Sequence, residues 1–587
     1  MRTGNVRPGP TRLRHTRLAI ALACALALAP LPARTPVATR TDGGSVREVT
    51  NCNDSGPGSL RDAVASALNG DQIVFASNIG CGTVHLDSGP IIITDDAKGR
   101  PLTHLTIIGT GYASLTIDGM DLHRVIVQSA GAGALLALSD MTIAHGKSDS
   151  SGGCVFAEGD VTLANVEVSN CTAGIVTGDS TTNLGPVRGG GIYSAGSVTT
   201  YDCDFYYDRA YGNTEYAYGG AIFAASAILA DVTSFVNNSA SSVGGAAYGG
   251  ALAAGDRAGR VQATITLTAS SISGNTAESG CSFCGARGGG VWVYGNASML
   301  AGKIRQNTAM STYGYGTGGG LYAGNHFDGP PVTTKLKVVN VYCNVADAGA
   351  GVAAGGNLDV SYSTFDCNMA DHDGGAIALI GADLTLRNST LFNNSAPAGR
   401  GGGVFVLGYG NAAIINSTIS GNSATAGGGI ANTYGSLSVA NSTIADNTAS
   451  VTGGGIYFRY AYYPINLEST IVAANADANG SEDLWPPGMT VTGSHDLVVA
   501  APGVDLPPDT LSGDPMLQPL GANGGYTLTQ ALGSGSVAID AGSNPLSLTN
   551  DQRGNGFPRV FGTAADIGAY ESHLPVADRI SLGGFDP

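Results

Sequence analysis

The sequence predicts an all-β protein, a single-stranded parallel β-helix (solenoid) with a short capping helix at its N-terminal end and an irregular C-terminal cap. Three observations carry that expectation. Branched aliphatic residues follow successive small-residue clusters at Val155, Ile192, Ile222, Leu252, Val291, Leu321, Val352, Ile377, Val404, Ile430 and Ile456, and the last steps settle to 25, 27, 26 and 26 residues. A fixed period of that length marks a solenoid rather than a globular core. A second column, Asn238, Asn275, Asn307, Asn344, Asn368, Asn394, Asn422, Asn447 and Asn475, runs between them, each a few residues after a short apolar or β-branched segment. Two columns imply at least two strands per repeat. Finally, 89 Gly in 587 residues without a Gly-X-Y period, with 43% hydrophobic and 12% charged residues, exclude collagen, disorder and a membrane bundle.

A lone coil exposes its strand edges. Stacking coils at about 4.8 Å pairs those edges and buries the aliphatic column as an inner ladder. Asparagine at the same corner of every coil suits left-handed backbone geometry and hydrogen bonding to the asparagines above and below. The pattern is plainest in residues 401–456, where a Gly-Gly-Gly-aliphatic phrase alternates with Asn-Ser-Thr-Ile. Such regularity is scaffold, so function is expected where the coils depart from it.

In chain order, residues 1–38 are expected to be a signal peptide. A basic stretch reaches Arg17, residues 18–31 are apolar, and Ala33 or Ala38 precedes the cleavage site. The apolar run is too short to span a bilayer, so the expected location is secreted or cell-surface associated. Residues 39–120 read as an N-terminal cap and first coils, with Ser59 as N-cap of a helix over 60–68 that stops at Asn69-Gly70. That helix would cover the open edge of the first coil. Residues 121–475 carry the repeats, 476–572 a C-terminal capping module and 573–587 a tail.

The formal charge is -17. Without the seven Arg of the first forty residues, 21 basic side chains face 45 acidic ones, a charge of -24. This balance argues against a nucleic-acid partner and is compatible with loosely held divalent cations.

Nine cysteines remain after Cys24, and export permits disulfides. Cys343 and Cys367 each precede a column asparagine, which places them one above the other at bridging distance. Cys52 with Cys81, and Cys281 with Cys284, are the next expected pairs. Cys154, Cys171 and Cys203 compete for one more bridge and leave one thiol over.

The residue after each column aliphatic faces the other side of the strand. Phe156, Tyr193, Phe223, Trp292, Tyr322, Phe405 and Tyr457 would therefore form an outer aromatic stripe, suited to stacking sugar rings or to packing under long loops. A second cluster runs from Tyr201 to Tyr211 and on to Glu215, Tyr216 and Tyr218. If Cys203 and Phe205 point inward, Asp202, Asp204 and Tyr206 share the outer face, with Asp208 close by. Adjacent carboxylates with aromatics could hold a sugar or a cation, or act as acid and base. The Asp371-His-Asp-Gly-Gly turn could hold calcium, although no repeated Gly-Gly-x-Gly-x-Asp motif accompanies it, and no cofactor is assigned.

The ends carry a family resemblance. Gly58-Ser-Leu-Arg-Asp-Ala followed by Gly70-Asp-Gln-Ile-Val-Phe is similar to the start of bacterial choice-of-anchor Q domain proteins. Gly513-Asp-Pro-Met-Leu, Ala538-Ile-Asp-Ala-Gly, Asp551-Gln-Arg-Gly and Asp566-Ile-Gly-Ala-Tyr-Glu resemble their far end. The resemblance implies a right-handed parallel β-helix. The middle repeats also resemble chlamydial polymorphic outer membrane proteins, which are adhesins, in Gly219-Gly-Ala-Ile, Gly374-Gly-Ala-Ile, Phe235-Val-Asn-Asn and Phe365-Asp-Cys-Asn. That likeness covers only the passenger-like repeats. The tail from Ala577 resembles a short ending found on some proteobacterial members.

Together these features point to an adhesin or a polysaccharide- or matrix-binding scaffold. The alternatives are a polysaccharide-active enzyme, pectate lyase-like or a glycoside hydrolase, and a structural spacer. Fold alone does not carry activity. The Asp, His and Arg-x-Lys set of polygalacturonase-like enzymes is missing: Asp95-Asp96 and Asp118 read singly, and His145 lacks matching partners. Asp551-Gln-Arg-Gly and Asp566 to Glu571 read as end-cap turns, with Arg553 free to pair an acid.

Overall fold

The computed structural model describes residues 44–174, 185–255, 262–324, 331–460 and 465–573. The expected signal peptide and the tail from residue 574 lie outside them. One coil shows how the sequence becomes structure. Ile222–Ala224 is a strand of the first sheet, Ala227–Asp231 and Ser234–Val236 are two strands of the second, and Ser239–Ser242 is a strand of the third. With the two-residue strand Ala247–Tyr248 that follows, this coil holds five short strands where the columns implied at least two, because the corners between the first four consume only two residues each.

Strands pair in parallel with their counterparts in the next coil. The register Val155, Ile192, Ile222, Leu252, Val291, Leu321, Val352, Ile377, Val404, Ile430, Ile456 and Leu484 is continuous. All of these side chains are at most 1% exposed, so the aliphatic column is the inner ladder that the period predicts.

The asparagine column is buried too, but its geometry differs from the expectation. The left-handed residue is the one before it: Asn237, Gln306, Cys343, Cys367, Asn393, Asp446 and Ala474 have φ between 52 and 59°. That turn swings the next side chain into the interior. Each buried Nδ2 then donates to the Oδ1 of the following asparagine, as in Asn275 to Asn307 at 2.9 Å and Asn344 to Asn368 at 2.9 Å. It also donates to a strand carbonyl, as from Asn275 to Phe235 O at 3.0 Å. Because both ends of each amide are satisfied, burial is tolerated.

A second polar ladder sits at the corner inside the second sheet. Ser363 N donates to Ser389 Oγ at 3.1 Å, Ser389 N to Ser417 Oγ at 3.2 Å, and Ser417 N to Ser442 Oγ at 3.1 Å. Its sequence trace is the serine of the Asn-Ser-Thr triplets.

The capping helix, α1, spans Leu60–Ala65 and ends earlier than residue 68. Ser59 Oγ accepts from Asp62 N at 3.2 Å, and Leu60, Ala63 and Val64 face the core. Asp71 cuts the helix short: its Oδ2 accepts from Leu68 N at 2.8 Å and from Arg47 Nε at 2.6 Å, which directs the chain into the strand Gln72–Phe75.

Four disulfides form: the expected Cys52–Cys81, Cys281–Cys284 and Cys343–Cys367, and Cys154–Cys171, which settles the remaining competition. Cys203 is the buried free thiol.

The irregular C-terminal cap closes the last coil through bridges at Thr490 with Asp505 and Leu497 with Leu511. It then returns along the outside of the second sheet. Gln552 Nε2 donates to Thr390 Oγ1 at 2.9 Å, Thr418 Oγ1 donates to Gln552 Oε1 at 2.6 Å, and Ala569 N donates to Thr443 Oγ1 at 3.1 Å. The Asp551 and Asp566 motifs therefore work along the flank of the coils rather than as turns at their end. Arg553 is bound to Asp551 at 2.6 Å with both side chains buried.

Candidate functional site

The first sheet carries the aromatic stripe on its outer face, as strand alternation requires, yet much of it is covered. Phe156, Tyr193 and Phe223 stack at 5.0 and 5.7 Å. Phe223 is 2% and Trp292 1% exposed. The cover comes from short strands that end each loop: Tyr218 and Tyr248 lie 5.6 and 5.0 Å from Trp292, Arg188 stacks over Phe223 at 5.4 Å, and Arg287 lies over Tyr322 at 5.5 Å. Burial of ring area and guanidinium stacking account for this shelf as packing. Tyr193 and Tyr322 remain half-buried, whereas Trp292 presents no ring to solvent.

The second sheet is open at the other expected cluster. Cys203 and Phe205 point inward, at 1% and 0% exposure, which turns Asp204 and Tyr206 outward. Asp202 sits on the corner with φ 50°, beside Tyr201, which is 51% exposed. Parallel register then assembles two rows across the coils. One contains Thr116, Thr142, Glu167, Asp204 and Ser234; the other contains Asp118, Ala144, Ser169, Tyr206 and Val236.

Glu167 and Asp204 are therefore direct neighbours on successive coils. The Tyr206 phenol is hydrogen-bonded to Asp204; burial, then the charges of Asp204 and Glu167, push its pKa up. Ser169 Oγ donates to Glu167 Oε1 at 3.4 Å. Two coils toward the N-terminus, His145 Nδ1 lies 3.2 Å from Asp118 Oδ1, and His85 Nδ1 lies 3.8 Å from Asp118 Oδ2. His145 and Asp118 do have partners, then: each other.

These additions have different sequence traces. His145 and Asp118 are 27 residues apart, one coil length, so the repeat itself was the missed signal. Glu167 and Asp204 are 37 apart because their coil carries an insertion, and no regular period aligns them.

Asp208 does not belong to this surface. It is 0% exposed and stands at the head of the asparagine column, donating from its N to Asn238 Oδ1 at 2.9 Å and accepting from Cys171 N at 3.0 Å. Burial pushes its carboxyl pKa far up. In the suggested calcium turn, Asp373 is committed to Arg400 at 2.9 Å. Among the described residues no group of three or more His, Cys, Asp or Glu is placed to hold a metal ion, and no helix is long and apolar enough to cross a membrane.

A family model described as a right handed beta helix region matches residues 342–499. Among solved structures, the chain is similar to a crystal structure of pectate lyase Pel9A, with 14% identity over 90% of this chain and 97% of that one and a TM-score of 0.22. No curated protein matches the chain. With the continuous parallel register of the coils, the family match makes the fold a right-handed parallel β-helix.

Proposed function

We propose that the chain is a secreted or cell-surface β-helix that binds polysaccharide through the outer face of its second sheet, as an adhesin or matrix-binding scaffold. The observation that carries this reading is the Glu167, Asp204 and Tyr206 group: acceptors and a donor held outward on successive rigid coils, beside the exposed ring of Tyr201. Sugar hydroxyls are bound by such fixed polar groups with an aromatic at the margin. Four disulfides fit an oxidising compartment. The resemblance of both ends to choice-of-anchor Q domain proteins supports a place at the cell surface.

One observation favours a second reading, glycoside hydrolysis. Glu167 and Asp204 are neighbouring carboxylates, the arrangement in which one group protonates the leaving oxygen while the other attacks the sugar or activates water. A glycan array combined with reducing-sugar and unsaturated-product assays separates the cases. Binding without turnover, weakened by Asp204→Asn and Tyr206→Phe, is the expected result; turnover on any polymer replaces the scaffold reading, and neither binding nor turnover leaves a structural spacer.

A further inference from the structure

Farther along the same face the chemistry reverses. The row that holds Glu167 and Asp204 continues through Ser234 and Ser271 to Lys303, and the row of Tyr206 continues through Val236 and Ser273 to Arg305. On the next coil, Lys335 and Lys337 project from the adjoining strand Thr333–Lys337. All four side chains are exposed, while Ile304 and Leu336 between them are buried. Two residues along one strand are about 7 Å apart and successive coils about 4.8 Å; Lys303 and Arg305 are one such pair, and Lys335 and Lys337, in register with Ser298 and Leu300, are a second pair one coil on, across the corner at Ala301. Among the described residues, none of the four forms an ion pair or a side-chain hydrogen bond, although Asp359 follows Lys335 directly in register.

Two pairs of unneutralised cations on neighbouring coils are costly unless something compensates them, and they are conspicuous in a chain of net charge -17. Hydroxyl and amide groups flank them, Ser271 and Ser273 on one side and Asn340, Tyr342 and Thr364 on the other, with carboxylates at Asp359 beside Lys335 and at Asp366 beyond Tyr342. The row then closes, because at Thr390 the C-terminal cap covers the sheet. The open face therefore begins at carboxylates, passes through serines and ends on cations, with three coil steps, about 14 Å, from Asp204 to Lys303.

We infer that the polysaccharide bound by this protein carries anionic substituents, sulfate or uronate, and that Lys303, Arg305, Lys335 and Lys337 recognise them. This inference rests on the polysaccharide reading above and names the ligand class. Point charges on lysine and the guanidinium fork of Arg305 meet the anionic groups, while the serine, asparagine and tyrosine positions meet the hydroxyls between them. A nucleic acid is the other polyanion with this charge, but its dense phosphates would be carried against a chain of net charge -17.

The test uses the full mature chain with immobilised heparin, polygalacturonate, dextran and duplex DNA as probes. The charge-reversed variant Lys303→Glu/Lys335→Glu is compared with the neutral Lys303→Gln/Lys335→Gln, and melting temperatures confirm that both fold. The expected result is binding to heparin or polygalacturonate that weakens as salt rises from about 0.05 to 0.5 M. It should fall by about tenfold or more on charge reversal and less in the neutral variant. Dextran binding that exceeds binding to both acidic polymers, or charge reversal without effect, overturns this inference and leaves the polysaccharide reading standing. Preferential binding to DNA overturns it in favour of a nucleic-acid partner. Binding to none of the glycans overturns both readings.

Discussion

Asn475 donates from Nδ2 to Asp483 Oδ1 at 2.8 Å, and with that bond a buried column of asparagines ends on a carboxyl group. At the other end Asp208 accepts no side-chain amide but takes Cys171 N, so the column is closed by an acid on both sides. The interior of this solenoid thus combines a hydrocarbon core with a directed hydrogen-bond chain. Its stability depends on both.

Removing one rung should cost more than its packing volume suggests. In Asn368→Ala, the buried Asn344 N and Nδ2 lose their shared acceptor, and Asn394 Oδ1 and Val341 O lose a donor. The expected destabilisation is about 3 kcal/mol, from unsatisfied buried groups. Denaturant unfolding checks the magnitude, and faster amide exchange at Asn344 checks the location.

The C-terminal end of the coils should weaken as pH rises. Burial, only partly offset by hydrogen bonds, raises Asp483 to about 6 and Asp496 to about 8. Each folded-state pKa lies above the unfolded value of about 3.9. The stabilising contribution is therefore complete below pH 4 and is lost progressively as pH rises through 6 to 8. Thermal melts should show the midpoint falling between about pH 5 and pH 9, and Asp496→Asn should flatten the upper part of that fall.

Cys343 and Cys367 both occupy left-handed corners and link successive coils. Their sequence separation of 24 residues sets the chain-entropy gain. Replacing both by serine should cost about 3 kcal/mol by restoring that entropy to the unfolded chain, measurable as a lower denaturation midpoint. Non-reducing peptide mapping should recover four bridges. Cys203, whose thiol is pushed up to about 12 chiefly by burial, should resist alkylation until the chain unfolds.

One side chain concentrates several of the hydrogen bonds that hold the C-terminal cap to the flank. Gln552 bonds Thr390, Thr418, Thr527 and Leu528 while fully buried. Gln552→Ala should leave Thr418 Oγ1 unpaired and take one of the hydrogen bonds from each of Thr390, Thr527 and Leu528, at a cost of about 2–4 kcal/mol. Limited proteolysis should then cut within residues 499–573 while the coils stay resistant, and the face around Thr418 should gain hydrogen exchange.

The architecture was largely legible in the sequence because each coil repeats one solution: the column residues recur at fixed intervals, and a fixed interval can be counted. Val352 to Ile456, the asparagines and the Cys343–Cys367 bridge all follow from that period. The functional surface was less legible for the same reason. Asp204 and Tyr206 could be turned outward by alternation with Cys203 and Phe205, but Glu167 joins them across an insertion that breaks the count.

By itself, then, the sequence determined the solenoid, its inner ladders, its capping helix and three of its four bridges, since all are governed by local alternation and by a repeat of constant length. Only the tertiary structure decided which outer residues meet. Inter-coil register aligns Asp204 with Glu167 and Lys303; loop strands bury Trp292; the C-terminal cap occupies the face beyond Thr390. Those outcomes depend on insertion lengths and on contacts between segments more than a hundred residues apart, and a periodic pattern carries no information about either.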